Sequence, residues 1–207
     1  MMRGRFITLE GGEGVGKSTQ ARMLAGALEA SGHNPLLTRE PGGTPGAEAI
    51  RALLLDPAQH FGPASETLLF AAARADHVAE AIEPALAAGR WVVCDRFLDS
   101  TRAYQGGEGG MTDAEICTLH AVGSRGLLPD LTLLLSAAPE QVAERLAARD
   151  GDNSDRIGGR PADYHRAVAG RFAALAAMEP ERFRVIAATG TPEEVHARVM
   201  DAVGALA

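Results

Sequence analysis

The chain has 207 residues, of which 46% are apolar, and its formal net charge is −7. This size suits one well-packed domain, and no linker or change of composition divides the chain, so we expect a single domain over residues 1–207. The acidic balance argues against nucleic-acid partners, which usually require a basic face. The sequence shows no signal peptide and no apolar run near the roughly 18 residues of a spanning helix, which predicts a cytoplasmic protein without a membrane partner.

Short apolar runs alternate with helical patterns along the chain. Strands are predicted at residues 5–10, 35–38, 91–94, 131–135 and 183–187. Helices are predicted at residues 18–29, 65–88, 112–122, 139–148, 163–178 and 192–206, and Pro84 is expected to kink or break the second of them. This alternation is typical of an α/β fold in which a parallel sheet is covered by helices on both faces.

The first strand leads into a complete match to the phosphate-binding P-loop pattern G-x-x-x-x-G-K-[ST]. Its residues are Gly11, Gly12, Glu13, Gly14, Val15, Gly16, Lys17 and Ser18, and Thr19 follows in the first turn of the next helix. In such a loop the backbone N–H groups surround an anion, the lysine reaches the β- and γ-phosphates, and the serine hydroxyl ligates Mg²⁺. Because a strand precedes the loop and a helix follows it, the sequence predicts a nucleoside triphosphate site at a helix N-terminus.

Asp95 and Arg96 directly follow the predicted strand at residues 91–94. They emerge at the carboxyl end of a parallel strand, where open α/β sheets place their ligands. Asp95 is therefore a candidate for holding Mg²⁺ through water, and Arg96 for clamping a phosphate next to the transferred group. The alternative is a salt bridge between the two neighbours, which adjacent positions at a strand end make awkward.

Several arginines and aromatic residues suit a second, smaller phosphate ester. They are Arg39, Phe70, Arg74, Arg96 and Tyr104. Phe70 and Arg74 are four residues apart and share one helical face, so a base could stack on the ring while the guanidinium donates to an exocyclic oxygen. Ordinary core packing of Phe70 is the alternative, and spacing alone does not decide. A GTPase is excluded because the guanine-reading motif N-K-x-D needs a second lysine, and Lys17 is the only one.

The segment at residues 149–161 departs from the rest of the chain because it is polar and rich in glycine. It contains Arg149, Arg156 and Arg160. A solvated surface loop and a mobile lid that closes over substrate both suit this composition, and the two interpretations stay open.

Taken together, these segments resemble the thymidylate kinase family, P-loop enzymes that phosphorylate dTMP with ATP. The resemblance covers nearly the whole chain and rests on the strings at residues 6–11, 39–44, 70–77, 95–107, 129–135 and 155–157. The strings R-E-P-G-G-T and D-R-F followed by S-T-R-A-Y-Q are more specific than the P-loop. One departure is Leu135-Ser136-Ala137, where the family commonly has Leu-Asp-Val.

The resemblance implies a three-layer P-loop kinase fold with a five-stranded parallel sheet and a mobile lid at about residues 149–161. It also implies roles at the base end of the acceptor site. Phe70 would stack on thymine, and Arg74 would read its carbonyl edge. Ser100, Thr101 and Gln105 would complete the base pocket.

The sugar, phosphate and donor ends follow from the same resemblance. Tyr104 would lie where a ribose 2′-OH would clash, Arg39 and Arg96 would hold the dTMP phosphate, and Glu13 would lie near the 3′-OH or the metal water. Since the P-loop carries no arginine of its own, the lid would supply one at the transferred phosphoryl group. Arg156 is the first choice and Arg160 the second, while Arg149 would pack on the adenine of ATP.

The implied reaction is ATP + dTMP → ADP + dTDP with Mg²⁺ as cofactor, in a homodimer. The implied catalytic residues are Lys17, Arg96, Arg156, Glu13 and Asp95, with Ser18 and Asp95 at the metal. Two alternatives remain from the residues: a nucleoside monophosphate kinase for another base, and a nucleotide-binding regulator without turnover. Competition among acceptor nucleotides discriminates between the bases, and the absence of turnover would favour the regulator.

Overall fold

The computed structural model describes residues 3–107, 109–138, 141–142, 145, 159–204 and 206. Five parallel strands form one sheet in the order β2-β3-β1-β4-β5. The strands are β1 Phe6–Glu10, β2 Leu36–Arg39, β3 Val92–Asp95, β4 Leu131–Ser136 and β5 Phe183–Ala187. All five predicted strands are therefore confirmed, and the sheet is parallel as expected.

The helices of the described residues connect the strands. They are α1 Lys17–Ala30, α2 Pro45–Leu55, α3 Pro63–His77, α4 Glu83–Ala87, α5 Leu98–Tyr104, α6 Asp113–Ser124, α7 Ala162–Met178 and α8 Pro192–Gly204. The predicted start of α6 is confirmed by a complete capping box in which Thr112 and Glu115 each accept from the other's backbone N–H. Most of the helix predicted at residues 139–148 lies outside the described residues.

Two helices were not predicted, and a third differs in form. These are α2, which follows a glycine-rich segment, and the short α5. The Thr44 side chain caps α2 by accepting from the N–H of Ala47. The long helix predicted around Pro84 is three consecutive segments, in which a π-helical turn, Val78–Ile82, joins α3 to α4. Pro84 lacks a backbone N–H, and the departure from α-helical geometry lies in the turn that precedes it.

Side chains of β1 alternate between two buried layers. Ile7 and Leu9 pack with α1 and α8 on one face of the sheet. Phe6 packs on the other face, with the π-helical turn and α6. Helices therefore cover both faces, which confirms the expected three-layer α/β architecture. Because side chains of a strand alternate, Glu10 lies on the same side of the sheet as Phe6.

No helix among the described residues is long and apolar enough to cross a membrane.

Candidate active site

The P-loop joins the carboxyl end of β1 to the N-terminus of α1. Gly11 has a φ of 135°, and a Cβ placed there would lie 2.4 Å from the carbonyl oxygen of Leu135. A side chain at this position is therefore incompatible with the close approach of β4. Gly16 takes a left-handed conformation, with a φ of 95°, and caps α1, so that the helix begins at Lys17.

Lys17 is buried inside this loop. Its Nζ donates to the carbonyl oxygen of Gly12 over 2.5 Å, and only 6% of the residue is exposed. Burial, followed by the positive charge of Arg96, lowers the pKa of Lys17 to about 8. A bound polyphosphate would add negative charge beside the buried ammonium and favour its charged form, which suits an anion site.

Ser18 and Asp95 form a pair of oxygen donors beside the loop. The Ser18 hydroxyl donates to Oδ2 of Asp95. Oδ1 of Asp95 is buried and has no hydrogen-bond partner among the described residues. No cluster of three or more metal-ligating His, Cys, Asp or Glu side chains occurs in that part of the chain. This arrangement fits Mg²⁺, which proteins usually bind through one or two oxygens together with substrate phosphates and water.

Arg96 connects the P-loop to α5. Its Nη1 donates to the carbonyl oxygen of Gly11 and to Oγ of Ser100, both over 3.1 Å, and its Nη2 donates to Oε1 of Glu13 over 2.5 Å. The guanidinium also lies over the ring of Tyr104, 5.0 Å from its centroid. Arg96 has a φ of 70°, a conformation that is costly for a non-glycine residue and clusters at functional sites.

Glu10 supports the same segment and was not identified from the sequence. Its Oε1 accepts from the N–H of Phe97 over 2.8 Å, and its Oε2 accepts from Oγ of Ser100 over 2.6 Å. Burial, followed by the negative charge of Asp99, raises the pKa of Glu10 to about 8. The signal available in the sequence was a carboxylic acid at the end of a strand that is uncharged from Phe6 to Leu9.

Arg74 lies at the far end of the site, on α3. Its Nε donates to Oε2 of Glu40 over 2.8 Å, and its Nη2 donates to the carbonyl oxygen of Phe97 over 3.1 Å and to Oγ1 of Thr101 over 2.7 Å. Phe70, one turn before it, is half-buried and packs against the apolar cluster around α5 and α7. The ring therefore serves the core in part, while it also faces the cavity described next.

One cavity of about 530 Å³ joins the P-loop to α3. The predicted residues that line it are Glu13, Gly14, Gly16, Lys17, Ser18, Thr19, Arg39, Phe70, Arg74, Asp95, Arg96, Ser100, Thr101, Tyr104 and Gln105. The predicted residues Gly11, Gly12 and Val15 belong to the same loop but not to this lining.

The cavity also contains arginines that sequence reasoning missed. Arg51 on α2 lines it and donates from Nη1 to the carbonyl oxygen of Pro41 over 2.7 Å. Arg145 lines it as well and donates from Nη2 to the carbonyl oxygen of Ala188 over 3.0 Å. Arg22 on α1 is the third. Their side chains add positive charge at both ends of the cavity, which suits two phosphate-bearing ligands.

The arginines predicted for the lid are only partly accounted for. Arg149 and Arg156 lie outside the described residues. Arg160 forms two hydrogen bonds to the carboxylate of Glu66, of 2.7 and 2.9 Å, and one of 2.5 Å to the hydroxyl of Tyr164. It borders a second, smaller cavity rather than the one that contains the P-loop. Arg39 lies at the rim of the main cavity and pairs with Glu48 over 2.9 Å.

Comparison with known proteins points to one family. Residues 9–199 match the profile of a family described as "Thymidylate kinase". A protein named thymidylate kinase from Rhizorhabdus wittichii is 58% identical over 206 residues, which cover 99% of each chain. A thymidylate kinase from Rhodopseudomonas palustris strain TIE-1 is 51% identical, over 98% of this chain and 89% of the relative. The crystal structure of thymidylate kinase from Ehrlichia chaffeensis superimposes with a TM-score of 0.79 at 31% identity, over 96% of this chain and 98% of that one.

Proposed function

The chain belongs to the thymidylate kinase family, and from this premise we propose that its arginine-lined cavity binds ATP and dTMP end to end. The protein phosphorylates dTMP to dTDP with the γ-phosphoryl group of ATP, a step in dTTP synthesis. The observation that carries the proposed site is the single cavity that contains both the P-loop and the Phe70–Arg74 face of α3. A shared cavity of this kind can bring two anions together in the orientation that transfer requires.

The P-loop end binds ATP in this proposal. Backbone N–H groups of residues 11–18 surround the phosphates, and Lys17 contacts the β- and γ-phosphates. Ser18 and Asp95 would hold Mg²⁺, consistent with the unsatisfied buried oxygen of Asp95. The ion supplies positive charge to the phosphoryl oxygens. Thr19 lies beside them in the first turn of α1.

The other end binds dTMP. Arg39 and Arg96 hold its phosphate, and Arg51, which lines the same cavity, assists them. Phe70 stacks on thymine while Arg74 donates to its carbonyl edge. The base pocket is completed by Ser100, Thr101 and Gln105. Tyr104 borders the sugar, where a ribose 2′-OH would find neither space nor a partner, and Glu13 lies near the 3′-OH.

Transfer proceeds by in-line attack of a dTMP phosphate oxygen on the γ-phosphorus, and the bond to the bridging oxygen of ADP breaks. The attacking oxygen is already anionic, so no general base is required. Catalysis consists of positioning and of neutralising charge by Lys17, Arg96 and a lid arginine. The ion pair of Arg160 with Glu66 favours Arg156 for that last role. Arg149 is proposed to pack on the adenine.

The protein acts on small molecules, and we infer that it is a homodimer. Leu53, Leu68 and Val122 are 47%, 48% and 81% exposed. They lie on α2, α3 and α6, which pack side by side. Exposed apolar side chains on three neighbouring helices suit association with a second copy. The single-domain organisation and the cytoplasmic location stay predictions.

The first experiment is ADP release from ATP and Mg²⁺ with dTMP, ribose TMP, dUMP, dCMP, dGMP or no acceptor. Turnover confined to dTMP and, weakly, dUMP would support both the reaction and the exclusion of ribose by Tyr104, which we call the Tyr104 gate. Turnover with another base would contradict the proposed pocket, and turnover with ribose TMP would contradict the gate. No turnover with any acceptor, in a protein that binds ATP, would favour a nucleotide-binding regulator.

A further inference from the structure

A buried chain of hydrogen bonds lies at the base end of the cavity, which Glu40 helps to line. Thr38 Oγ1, on β2, lies 2.8 Å from Nε2 of His77 on α3. His77 Nδ1 lies 3.1 Å from Oε1 of Glu40, and the other carboxylate oxygen of Glu40 accepts from Nε of Arg74. The side chains of His77, Arg74 and Glu40 are 0%, 3% and 5% exposed. Polar groups buried this deeply hold fixed positions only because each has its partner.

The direction of these bonds follows from chemistry. A carboxylate only accepts, so Nδ1 of His77 must carry a proton that it donates to Glu40. The loop after Glu40 fixes the imidazole from outside: a Cβ on Gly43 would lie 2.5 Å both from Nε2 of His77 and from Oγ1 of Thr38. Gly43 has a φ of 91°, so a side chain there is excluded by conformation as well as by space.

The chain determines which donors of Arg74 remain for a ligand. A guanidinium has five N–H donors. In Arg74 the Nε donor is taken by Glu40, and Nη2 donates to Phe97 and Thr101. The described residues supply no hydrogen bond to Nη1. The two N–H donors of Nη1 therefore remain for a ligand in the cavity, and the other hydrogen bonds of Arg74 fix their orientation.

We propose that Glu40 and His77 are positioning residues that set base selectivity through Arg74. The inference rests on the role proposed above for Arg74 at the base. Thymine and uracil present a carbonyl oxygen at C4, whereas cytosine presents an amino group. A donor pair held in one orientation donates to the carbonyl oxygen of thymine or uracil. With cytosine the same donors face the amino group, which is also a donor. If Arg74 were free to rotate, this penalty would be smaller.

The primary test is Glu40→Gln, which keeps the shape but removes the acceptor charge. We expect kcat/KM for dTMP to fall about tenfold to a hundredfold, as for one lost hydrogen bond between charged groups, with KM for ATP within about twofold. The ratio of kcat/KM for dTMP over dCMP should fall as well. An equal loss for both nucleotides would contradict the proposal, because a merely structural role lowers both alike.

A matched pair at His77 tests the next link without depending on how Glu40→Gln folds. The amide nitrogen of asparagine is as many bonds from Cβ as Nδ1, and that of glutamine as many as Nε2. His77→Asn therefore retains the donation to Glu40, whereas His77→Gln reaches Thr38 instead. We expect the first to keep the dTMP-over-dCMP ratio and the second to lower it. If the two variants behave alike, the inference fails.

Two further variants distinguish a specific role of the buried chain from a general loss of packing, and test the role of Arg74. Val199 on α8 is fully buried in the apolar cluster on the opposite face of the sheet, with Ile7 and Leu9. Val199→Ala should lower the melting temperature but keep the ratio; a lowered ratio would mean that loose packing suffices, and would overturn the inference. Arg74→Lys checks the premise: an unchanged kcat/KM for dTMP would refute the role of Arg74 itself. A lowered ratio in Arg74→Lys but not in Glu40→Gln would refute only the inference.

Discussion

Nη2 of Arg96 lies 2.5 Å from Oε1 of Glu13, so that the P-loop and the segment before α5 are joined by an ion pair. Both side chains are largely buried, and the same guanidinium contacts Gly11 and Ser100. The P-loop, which is proposed to bind ATP, thus orients Arg96, which is proposed to bind the phosphate of dTMP. This coupling places a fixed positive charge where the two phosphates meet.

Arg96→Lys should weaken dTMP binding selectively. An ammonium cannot reproduce the several directed bonds of the guanidinium fork, so we expect KM for dTMP to rise about tenfold to a hundredfold and KM for ATP to change by about twofold. Steady-state kinetics with each substrate varied measures both. Arg90→Lys is the matched control. Arg90 donates to the backbone carbonyls of Asn34 and Pro35 and precedes the N-terminal end of β3, whereas Arg96 follows its carboxyl end. Equal effects of the two substitutions would contradict the role of Arg96.

Lys17→Met should keep the fold and lower kcat at least about 10²-fold, as removal of one preorganised electrostatic contact does. Circular dichroism would verify folding, and ADP release would measure turnover. Near-native turnover in the folded variant would refute the role of the lysine.

The affinity of the free enzyme for a non-hydrolysable ATP analogue should fall as pH rises through about 8. Burial, followed by the positive charge of Arg96, lowers the pKa of Lys17 to about 8, and a bound triphosphate would favour the charged form. Between the pKa of Lys17 in the free enzyme and its higher pKa in the complex, the affinity for the analogue should decrease by up to about tenfold per pH unit. Calorimetric titrations from pH 7 to 9.5 would measure it. Glu10→Gln, which removes the other group with a pKa near 8, should leave this slope, whereas Lys17→Met should abolish it.

Asp95→Asn should raise the Mg²⁺ concentration needed for half-maximal activity at least about tenfold, because an amide is a much weaker ligand for a hard cation. Removal of the metal with EDTA should stop turnover in the unaltered protein. Asp130→Asn is the control. The Asp130 carboxylate accepts from Arg3 and from the N–H of Phe6 at the N-terminal ends of β1 and β4, opposite to the end at which Asp95 lies. If the metal requirement of Asp95→Asn is unchanged, Asp95 does not support the ion.

Local patterns were sufficient to predict the sheet and the P-loop. The strand, the glycine loop and the helix at Lys17 follow one another in sequence, so their geometry depends on neighbouring residues alone. The apolar runs of β1 and β4 are buried on both faces, and such runs are readily identified. The α2 helix was not predicted, because the glycine-rich segment before and at its start is not typical of a helix. Gly43 and Gly46 instead allow close packing beside α3, since a Cβ at these positions would meet His77 and Asp76.

The supporting residues could not be predicted, because their roles depend on contacts across long stretches of chain. Glu10 bonds residues almost ninety positions away, and Glu40 meets Arg74 only when α3 packs against the end of β2. A carboxyl group in a strand or a loop has no local pattern that reveals such a partner. Arg51 was missed for a related reason, since its position on the cavity wall follows from α2.

Leu68→Glu and Val122→Glu should convert a dimer to monomers. Each introduces a charge on the exposed apolar face of α3 and α6, and burying it without a partner is costly. Sedimentation equilibrium of the variants and the unaltered protein would measure the mass. Val185→Glu, at a residue on the edge strand β5 that is 61% exposed, is the control and should not change the mass. A monomeric unaltered protein would refute the proposed homodimer.

The buried carboxyl of Glu10 should make the protein less stable as pH rises from about 5 to 8. Its pKa is raised from 4.5 to about 8, first by burial and then by the charge of Asp99. The folded state therefore binds more protons than the unfolded state in this window, and stability present below the unfolded pKa is lost as pH rises through the folded one. Glu10→Gln cannot titrate, so the difference in unfolding free energy between it and the unaltered protein should shift by about 1 kcal/mol or more across the window.

Urea unfolding at pH 5, 6, 7 and 8 would measure that difference for each variant. Glu115→Gln is the matched control, because its capping hydrogen bonds lower the pKa of Glu115 and keep it ionised throughout the window. Its effect on stability should therefore be the same at every pH. A constant difference for Glu10→Gln as well would mean that Glu10 stays ionised in the fold, held by Arg96, Ser100 and the N–H of Phe97 against the cost of burial.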